Sequence, residues 1–266
     1  LNVSSDIYQM ARDYFIVTIY GLITTMMFNT LSGILRALGN SRMPIYTLMI
    51  SCVINILGDL FFISVCNLGV GGSALATNLA QTVSIIILAI YIIYKYPLLR
   101  LKRNDFKFYK RIYSELLTTG LSMGLMNSVY AIGGIVMSGA VNSLGSNIVT
   151  ARSTGRKIVE VLFQPGTSIA TAASVFVSQN YGAKNMKRAN EGIKKSVVIL
   201  FVWSIIVLIM YALEEPLCRL ISNSDDEVII KNAVMYVKIT LPFYFPLGIL
   251  IIIRNCLQSL GRKIVP

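Results

Sequence analysis

Seven runs of mainly apolar residues, each about as long as a membrane-crossing helix, constrain this chain more than any other feature. They cover residues 14–38, 44–66, 72–94, 116–141, 158–178, 196–213 and 229–257. A helix needs about 20 such residues to cross a hydrocarbon core. Because backbone polar groups in lipid must be satisfied within the protein, such runs favour helices over open strands. We therefore expect an all-α polytopic membrane protein with about seven transmembrane helices.

Composition and charge placement agree with a membrane location. The chain is 55% hydrophobic and only 14% charged, which is far from a soluble domain. Its net charge of +12 could suggest nucleic acid as a partner, but the basic residues lie in every second loop, as the positive-inside rule describes. We therefore expect those loops in the cytoplasm, the chain in the cell inner (plasma) membrane, membrane lipids as partners and no nucleic acid. The basic residues of these loops are Arg36, Arg42, Lys95, Arg100, Lys102, Arg103, Lys107, Lys110, Arg111, Lys184, Lys187, Arg188, Lys194, Lys195, Arg262 and Lys263.

The longest polar stretch divides the chain. Residues 97–114 mix basic with aromatic side chains, a pattern typical of a segment lying on anionic headgroups. We interpret it as a cytoplasmic linker between a partial N-terminal lobe with three spans, residues 1–96, and a partial C-terminal lobe with four, residues 115–266. A short amphipathic lead-in is predicted before residue 14, and the odd number of spans favours a piece of a longer protein.

The second apolar run carries polar side chains that lipid would penalise. Asn55 and Asp59 are four residues apart and so share one helix face. A carboxylate inside a span is costly unless it faces a partner or a water-filled cavity. Asp59 is therefore a functional candidate, although a purely structural bond to Asn55 would also explain it. Thr77, early in the next helix, is expected at a similar depth.

Other polar or helix-breaking residues are candidates for packing or for a cavity lining. Asn29 and Ser32 lie in the first run, Asn127 in the fourth, and Thr240 and Pro242 in the seventh. Small and polar residues of this kind commonly support close helix packing in membranes. Prolines at 165, 242 and 246 predict kinks in the fifth and seventh spans.

Catalytic and metal-binding chemistry is not suggested. The chain has no His, and its four cysteines stand singly, without metal-site spacing. We expect no enzyme activity, no metal site and no cofactor, so that any ion coupling uses carboxylates, hydroxyls, amides or backbone groups.

The fifth helix begins with a charged cluster that does not follow the placement of basic residues in cytoplasmic loops. It comprises Arg152, Arg156, Lys157 and Glu160 near the predicted outer face. The favoured interpretation is pairing at the interface, with Glu160 as one partner. A water-filled cavity that receives anionic groups is the alternative.

The end of the seventh run repeats the end of the first. A shift of 222 positions (261 minus 39) superposes LRALGNSRMP on LQSLGRKIVP, with Gly39 on Gly261 and Pro44 on Pro266. Six spans separate the turns, so both are expected on the same side of the membrane. Parallel repeats of this kind are used by transporters to form a cavity between two lobes.

Four motifs resemble the multidrug and toxic compound extrusion (MATE) transporters. They are RALGNSRMP at 36–44, NILGDLFFI at 55–63, LGVGGSALAT at 68–77 and QNYGAKNMKRA at 179–189. The resemblance implies two six-helix lobes, of which this chain holds the fourth to tenth helices. It also implies a monomer that exports organic, often cationic and amphipathic, compounds in exchange for protons or sodium ions by alternating access.

The resemblance assigns roles to particular residues. Asn55, Asp59 and Thr77 match a polar cluster that binds the coupling ion together with an aspartate of the first helix, which is outside this chain. In the second lobe, Asn127 and Thr240 stand where some members carry acidic residues, which favours coupling through the first lobe. Two alternatives remain open, a lipid-linked oligosaccharide flippase of the same wider superfamily and a truncated product without transport activity.

Overall fold

The computed structural model describes residues 5–100, 102, 105, 107–222 and 226–261, and every regular element in these ranges is helical. The chain forms two compact units, Leu1–Lys107 and Phe108–Pro266. The first unit contains α1, α2 and α3, and the second contains α4 to α9. The α-helices are Ser5–Ala37 (α1), Arg42–Leu60 (α2), Gly69–Lys95 (α3), Lys110–Asn142 (α4), Ser146–Gly182 (α5), Met186–Tyr211 (α6), Glu214–Ser222 (α7), Glu227–Thr240 (α8) and Tyr244–Ser259 (α9).

The prediction of an all-α chain with seven spans is confirmed. Within the described residues, seven helical segments are long and apolar enough to cross a membrane. Each overlaps one of the predicted apolar runs. The segments are Tyr14–Ala37, Arg42–Val65, Gly69–Lys95, Lys110–Asn142, Ser146–Gly182, Met186–Tyr211 and Glu227–Ser259.

Several helix ends were predicted too short. The lead-in expected before residue 14 is helical from Ser5 and continues into the first candidate span, which begins at Tyr14, and residues 1–4 lie outside the described part. Helix α4 begins at Lys110, inside the proposed linker, and α5 begins at Ser146 rather than at 158. The polar connection expected after the fifth span shrinks to three residues between Gly182 and Met186. Polar residues at these ends stay helical because backbone hydrogen bonds continue where the apolar sequence stops.

The prolines act differently in the two spans that contain them. Helix α5 continues through Pro165 without interruption, and the kink expected at that position stays a prediction. In the seventh span, the 3₁₀ turn Leu241–Phe243 separates α8 from α9. Pro242 is the second residue of that turn, where its missing N–H costs little.

In the first unit, α3 packs against both α1 and α2 through small residues. A Cβ atom added at Gly58 would lie 2.9 Å from the Cβ of Ala76, so the α2 and α3 backbones approach closely there. A Cβ added at Gly21 of α1 would lie 1.9 Å from Oδ1 of Asn78. The Asn78 amide instead reaches across to donate to the Val17 carbonyl at 2.9 Å. These approaches determine which polar side chains meet between the helices.

In the second unit, α5 packs against α6, α8 and α9. Leu200 of α6 is fully buried and occupies the space left by two glycines. A Cβ at Gly248 would lie 2.6 Å from Cδ2 of Leu200, and one at Gly166 would lie 3.6 Å from its Cδ1. Leu200 is therefore one of the buried core residues of this unit and packs between α5 and α9.

The two repeated turns have matching backbone geometry over their described residues. Gly39 and Gly261 have φ angles of +83° and +79°, and glycine adopts such values without a Cβ clash. The N–H of Gly39 donates to the Arg36 carbonyl, and that of Gly261 to the Gln258 carbonyl, both at 3.0 Å. Pro266 and the basic residues at 262 and 263 lie outside the described part, so the rest of the repeat stays a prediction.

Candidate functional site

The first polar site lies between α2 and α3. Nδ2 of Asn55 donates to Oγ1 of Thr77 at 3.1 Å, and Thr77 in turn donates to the Ser73 carbonyl at 3.1 Å. The close approach at Gly58 and Ala76 places these two side chains within reach of each other. Two of the three residues expected to form a polar cluster are thus joined by a direct hydrogen bond.

Asp59 lies one turn after Asn55 and is half-buried. Its Oδ1 atom is buried and has no hydrogen-bond partner within the described structure. The suggested structural bond from Asn55 to Asp59 is not formed, because the Asn55 amide is directed to Thr77. Two residues after Asp59, α2 passes into a π-helical turn, Phe61–Val65. Such turns are frequent at functional sites.

A cavity of about 260 Å³ opens beside Asn55 and Thr77, and Asp59 is outside its lining. Asn55 and Thr77 contribute its polar lining together with Ser51 and Gln81. Its remaining lining residues are Phe28, Leu48, Cys52 and Ala80. The cavity therefore combines amide and hydroxyl groups with an apolar wall, which is a common composition for small-molecule sites.

Gln81 is a polar residue of this site that the sequence analysis missed. Its Oε1 atom accepts hydrogen bonds from Thr25 at 2.7 Å and from Thr24 at 3.3 Å. The signal was present in the spacing, since Gln81 follows Thr77 by one helical turn. Its partners on α1 could not be chosen from sequence.

A second, larger cavity of about 550 Å³ lies within the second unit, between α5 and the α8–α9 junction. Three aromatic side chains line it, and the rings of Phe163 and Tyr244 meet edge to face with centroids 5.3 Å apart. The lining residues are Val159, Glu160, Phe163, Gln164, Ile239, Thr240, Leu241, Phe243, Tyr244 and Leu247. Thr240 was expected to line a cavity, and it is among these lining residues. Its hydroxyl group donates a hydrogen bond to the Tyr236 carbonyl of the same helix at 2.7 Å.

The charged cluster of α5 is resolved into separate interactions. Nε of Arg156 lies 2.6 Å from Oε1 of Glu160, which confirms the predicted pairing. Nη1 of Arg152 donates to Oγ of Ser138 on α4 at 3.3 Å. Sequence reasoning treated Glu160 only as a pairing partner and missed that it also lines the cavity.

The other predicted cavity residues lie outside the linings of these two cavities. Asn29 and Asn127 are exposed on α1 and α4, and Pro242 is exposed in the 3₁₀ turn. Ser32 is buried, and its Oγ atom has no partner within the described structure. Their assignment to a substrate cavity stays a prediction.

Seven candidate spans, with polar side chains directed to cavities between their helices, define a polytopic α-helical membrane protein. The family can also be stated. The sequence profile of the MatE family matches residues 1–61 and 122–266, and the chain belongs to this family, the MATE transporters. Members of this family are transporters rather than enzymes.

Relatives and solved structures agree with this assignment. The chain is 23% identical over its whole length to the probable multidrug resistance protein YoeA of Bacillus subtilis and 24% identical to the probable multidrug resistance protein NorM of Thermotoga maritima. It covers 59% and 58% of those proteins, so it spans a little over half of their length. A FAD transporter of Shewanella oneidensis is 24% identical over 86% of the chain and is covered to 51%.

The fold is that of solved MATE transporters. A multidrug resistance MATE family transporter of the MOP superfamily, in an outward-facing conformation, superposes with a TM-score of 0.89 at 19% identity. A MOP superfamily transporter from Pyrococcus furiosus, described as having a binding pocket of reverse polarity, superposes with a TM-score of 0.90 at 20% identity. In both cases the match covers 99% of this chain and 59% of the other.

Proposed function

We propose that this chain is part of a secondary active antiporter that exports organic, cationic or amphipathic compounds in exchange for protons or sodium ions by alternating access. The observation that carries the proposal is the Asp59 carboxylate inside a candidate span, with a buried oxygen that has no partner in the described structure. An ionisable group so placed marks an ion pathway more often than a packing contact. Membership of a transporter family supports the same interpretation.

Asp59, Asn55 and Thr77 would form the cation-coupling site. A proton on Asp59, or a sodium ion held by its carboxylate and the neighbouring hydroxyl and amide oxygens, would neutralise a charge that is costly in this environment. The resulting gain in free energy can favour one arrangement of the helices over another, which is what alternating access requires. An aspartate from the first helix of the family, outside this chain, would complete the site.

The substrate would use apolar and aromatic surface. The cavity of the second unit offers three aromatic rings, the Thr240 hydroxyl and one carboxylate among its described lining residues. Asn29, Ser32, Asn127 and Pro242 are proposed as further cavity residues of the complete protein. We propose a monomer in the inner (plasma) membrane, surrounded by lipid, with residues 97–114 as a linker lying on headgroups between the partial lobes at 1–96 and 115–266.

Cys66 tests the proposed orientation, and Cys218 serves as a buried control. Cys66 is exposed just after the second span, and Cys218 lies fully buried in α7, which follows the sixth span. Both are expected on the outer side. Burial, together with the charges of Glu214 and Glu215, raises the pKa of the Cys218 thiol to about 11. At pH 8 only about one thiol in a thousand would then be ionised.

A membrane-impermeant maleimide applied to intact cells at pH 7–8 should therefore label Cys66 and leave Cys218 unlabelled, as read by mass spectrometry. Each measurement uses a variant in which the other cysteines are replaced by serine. Labelling of Cys66 only after the membrane is made permeable would reverse the orientation and contradict the proposal.

A second candidate function is export of an anionic flavin dinucleotide. It is favoured by the similarity to the FAD transporter and by Arg152, Arg156 and Lys157 on one half of α5. Guanidinium groups bind phosphates well because their donors match phosphate oxygens in pairs.

Efflux of defined compounds distinguishes the candidates. The complete gene, expressed in a drug-sensitive bacterial strain, should lower the accumulation of a fluorescent organic cation, and collapse of the proton or sodium gradient should abolish the effect. Export of flavin dinucleotide into the medium without cation efflux would support the second candidate. Complementation of a glycan-export defect would favour the flippase, and no activity in any of the three assays would favour a product without transport.

A further inference from the structure

One face of α5 carries an ion pair at the edge of the larger cavity. Arg156, Glu160 and Gln164 follow one another at intervals of four residues and therefore lie on the same side of the helix. Glu160 and Gln164 line the cavity, whereas Arg156 stands one turn away and is outside its lining. The Arg156 guanidinium contacts the Glu160 carboxylate with an N–O distance of 2.6 Å.

The charge inside this cavity is negative. Glu160 is the one charged side chain among the described lining residues, and the others are apolar, aromatic or neutral polar. Phe163, Phe243 and Tyr244 supply aromatic surface around it. Aromatic faces beside a carboxylate suit an organic cation, because ring faces and carboxylates both attract positive charge.

We propose that Arg156 is a built-in competitor for the Glu160 carboxylate, so that an aromatic cation enters the cavity by displacing the Arg156 guanidinium. The inference rests on the proposed function and specifies its substrate class at this site. Arg156 then determines specificity without belonging to the binding surface. A ligand must carry a positive charge to replace the one that it removes from Glu160.

The exposure of the pair makes displacement feasible. The Arg156 and Glu160 side chains are 59% and 58% exposed among the described residues, so packing within this chain does not hold the guanidinium against Glu160. Exposed i, i+4 pairs are weak. The neighbouring Arg152 is held by Ser138 of α4, which leaves Arg156 as the cation in contact with Glu160 in the described structure.

Two probes of the same shape and opposite charge test the proposal. Tetraphenylphosphonium is an aromatic cation, and tetraphenylborate is its anionic counterpart. With the purified complete gene product in lipid nanodiscs, Arg156→Gln should tighten phosphonium binding about two- to fivefold, the range expected for an exposed pair. Glu160→Gln should weaken phosphonium binding, and Arg156→Gln should give no gain in the Glu160→Gln background.

Lys157→Gln is the matched control. It removes the same charge from the adjacent position of α5, and Lys157 is exposed and outside the cavity lining. The difference between Arg156→Gln and Lys157→Gln therefore isolates the contact with Glu160 from general electrostatics. Arg156 and Lys157 are both exposed, and size-exclusion profiles will show that the variants are folded.

Three results would overturn the proposal: equal effects of Arg156→Gln and Lys157→Gln, binding of phosphonium by neither wild type nor Arg156→Gln, or binding of tetraphenylborate that is lost in Arg156→Gln. The last result would instead assign Arg156 to an anion site. Transport measured in parallel distinguishes a failure of the competitor role from a failure of the proposed function. A specific gain in Arg156→Gln without efflux by wild type would contradict the proposed function alone, whereas normal efflux without that gain would contradict the competitor role alone.

Discussion

Replacement of Asp59 by Asn should abolish efflux while leaving the amount of protein in the membrane unchanged. Asparagine keeps the size and shape of the side chain but cannot exchange a proton or provide a charge to sodium. If Asp59 carries the coupling ion, the linkage between ion and substrate is lost, and couplings of this kind are typically about 5- to 150-fold in affinity. We expect accumulation of a fluorescent cation to return to the level of cells without the transporter.

The environment of Asp59 explains why the effect should be large. Its Oδ1 atom is buried without a partner, and the nearby Asn55 amide is already bonded to Thr77. The Asp59 carboxylate therefore has an oxygen atom that is available to hold a coupling ion, and the neutral amide of asparagine lacks the charge. A charge inside a membrane span is costly in free energy, so its removal should not destabilise the fold. We therefore expect the loss of efflux to reflect lost ion coupling rather than unfolding.

Asp105→Asn provides the matched control for Asp59→Asn. Asp105 is exposed outside the candidate spans, where its carboxylate accepts a hydrogen bond from the Lys102 N–H at 2.7 Å. The same change of charge at this position should leave efflux close to wild type. Normal efflux by Asp59→Asn, with normal membrane levels, would remove Asp59 from the mechanism. Repeating the assay in sodium-free medium would show which ion is coupled.

The replacement of Leu200 by Ala should produce a large loss of stability. Leu200 is fully buried and lies between Gly248 of α9 and Gly166 of α5. Truncation of such a residue costs about 2–5 kcal/mol, because contacts are lost and a cavity remains. The melting temperature of the purified complete gene product should fall by roughly 10 °C, at about 2–4 °C per kcal/mol. Scanning fluorimetry in one fixed detergent measures the change.

Two further variants make the stability prediction specific. Leu208→Ala, on the same helix but with 58% of the residue exposed, should change the melting temperature little. Gly248→Ala alone should be destabilising, since its new methyl group would lie 2.6 Å from Cδ2 of Leu200. In the Leu200→Ala background the same methyl group should restore part of the lost stability. A simple sum of the two losses would show that Leu200 and Gly248 do not share one packing site.

The sequence alone determined the fold class and which helix faces carry polar residues. Seven spans could be predicted because a hydrocarbon core demands about 20 apolar residues per crossing, whatever the tertiary packing. The spacing of Asn55 and Asp59 placed both on one helix face because the α-helical period is a local property. The glycines at 39 and 261 were recognisable as turn positions, since a positive φ angle is a local demand of the backbone.

Tertiary structure decided which polar groups meet and where the helices end. Asn55 bonds Thr77 rather than Asp59, and Gln81 bonds Thr24 and Thr25, because α2 and α1 each approach α3 at small residues. Glu160 became a cavity residue only through the position of the α8–α9 junction against α5. Helix α5 passes through Pro165 and begins well before its apolar run, since backbone hydrogen bonding and neighbouring helices support residues that local patterns exclude. Local periodicity is therefore readable in the sequence, whereas the partner of each polar group depends on distances between helices that no local pattern contains.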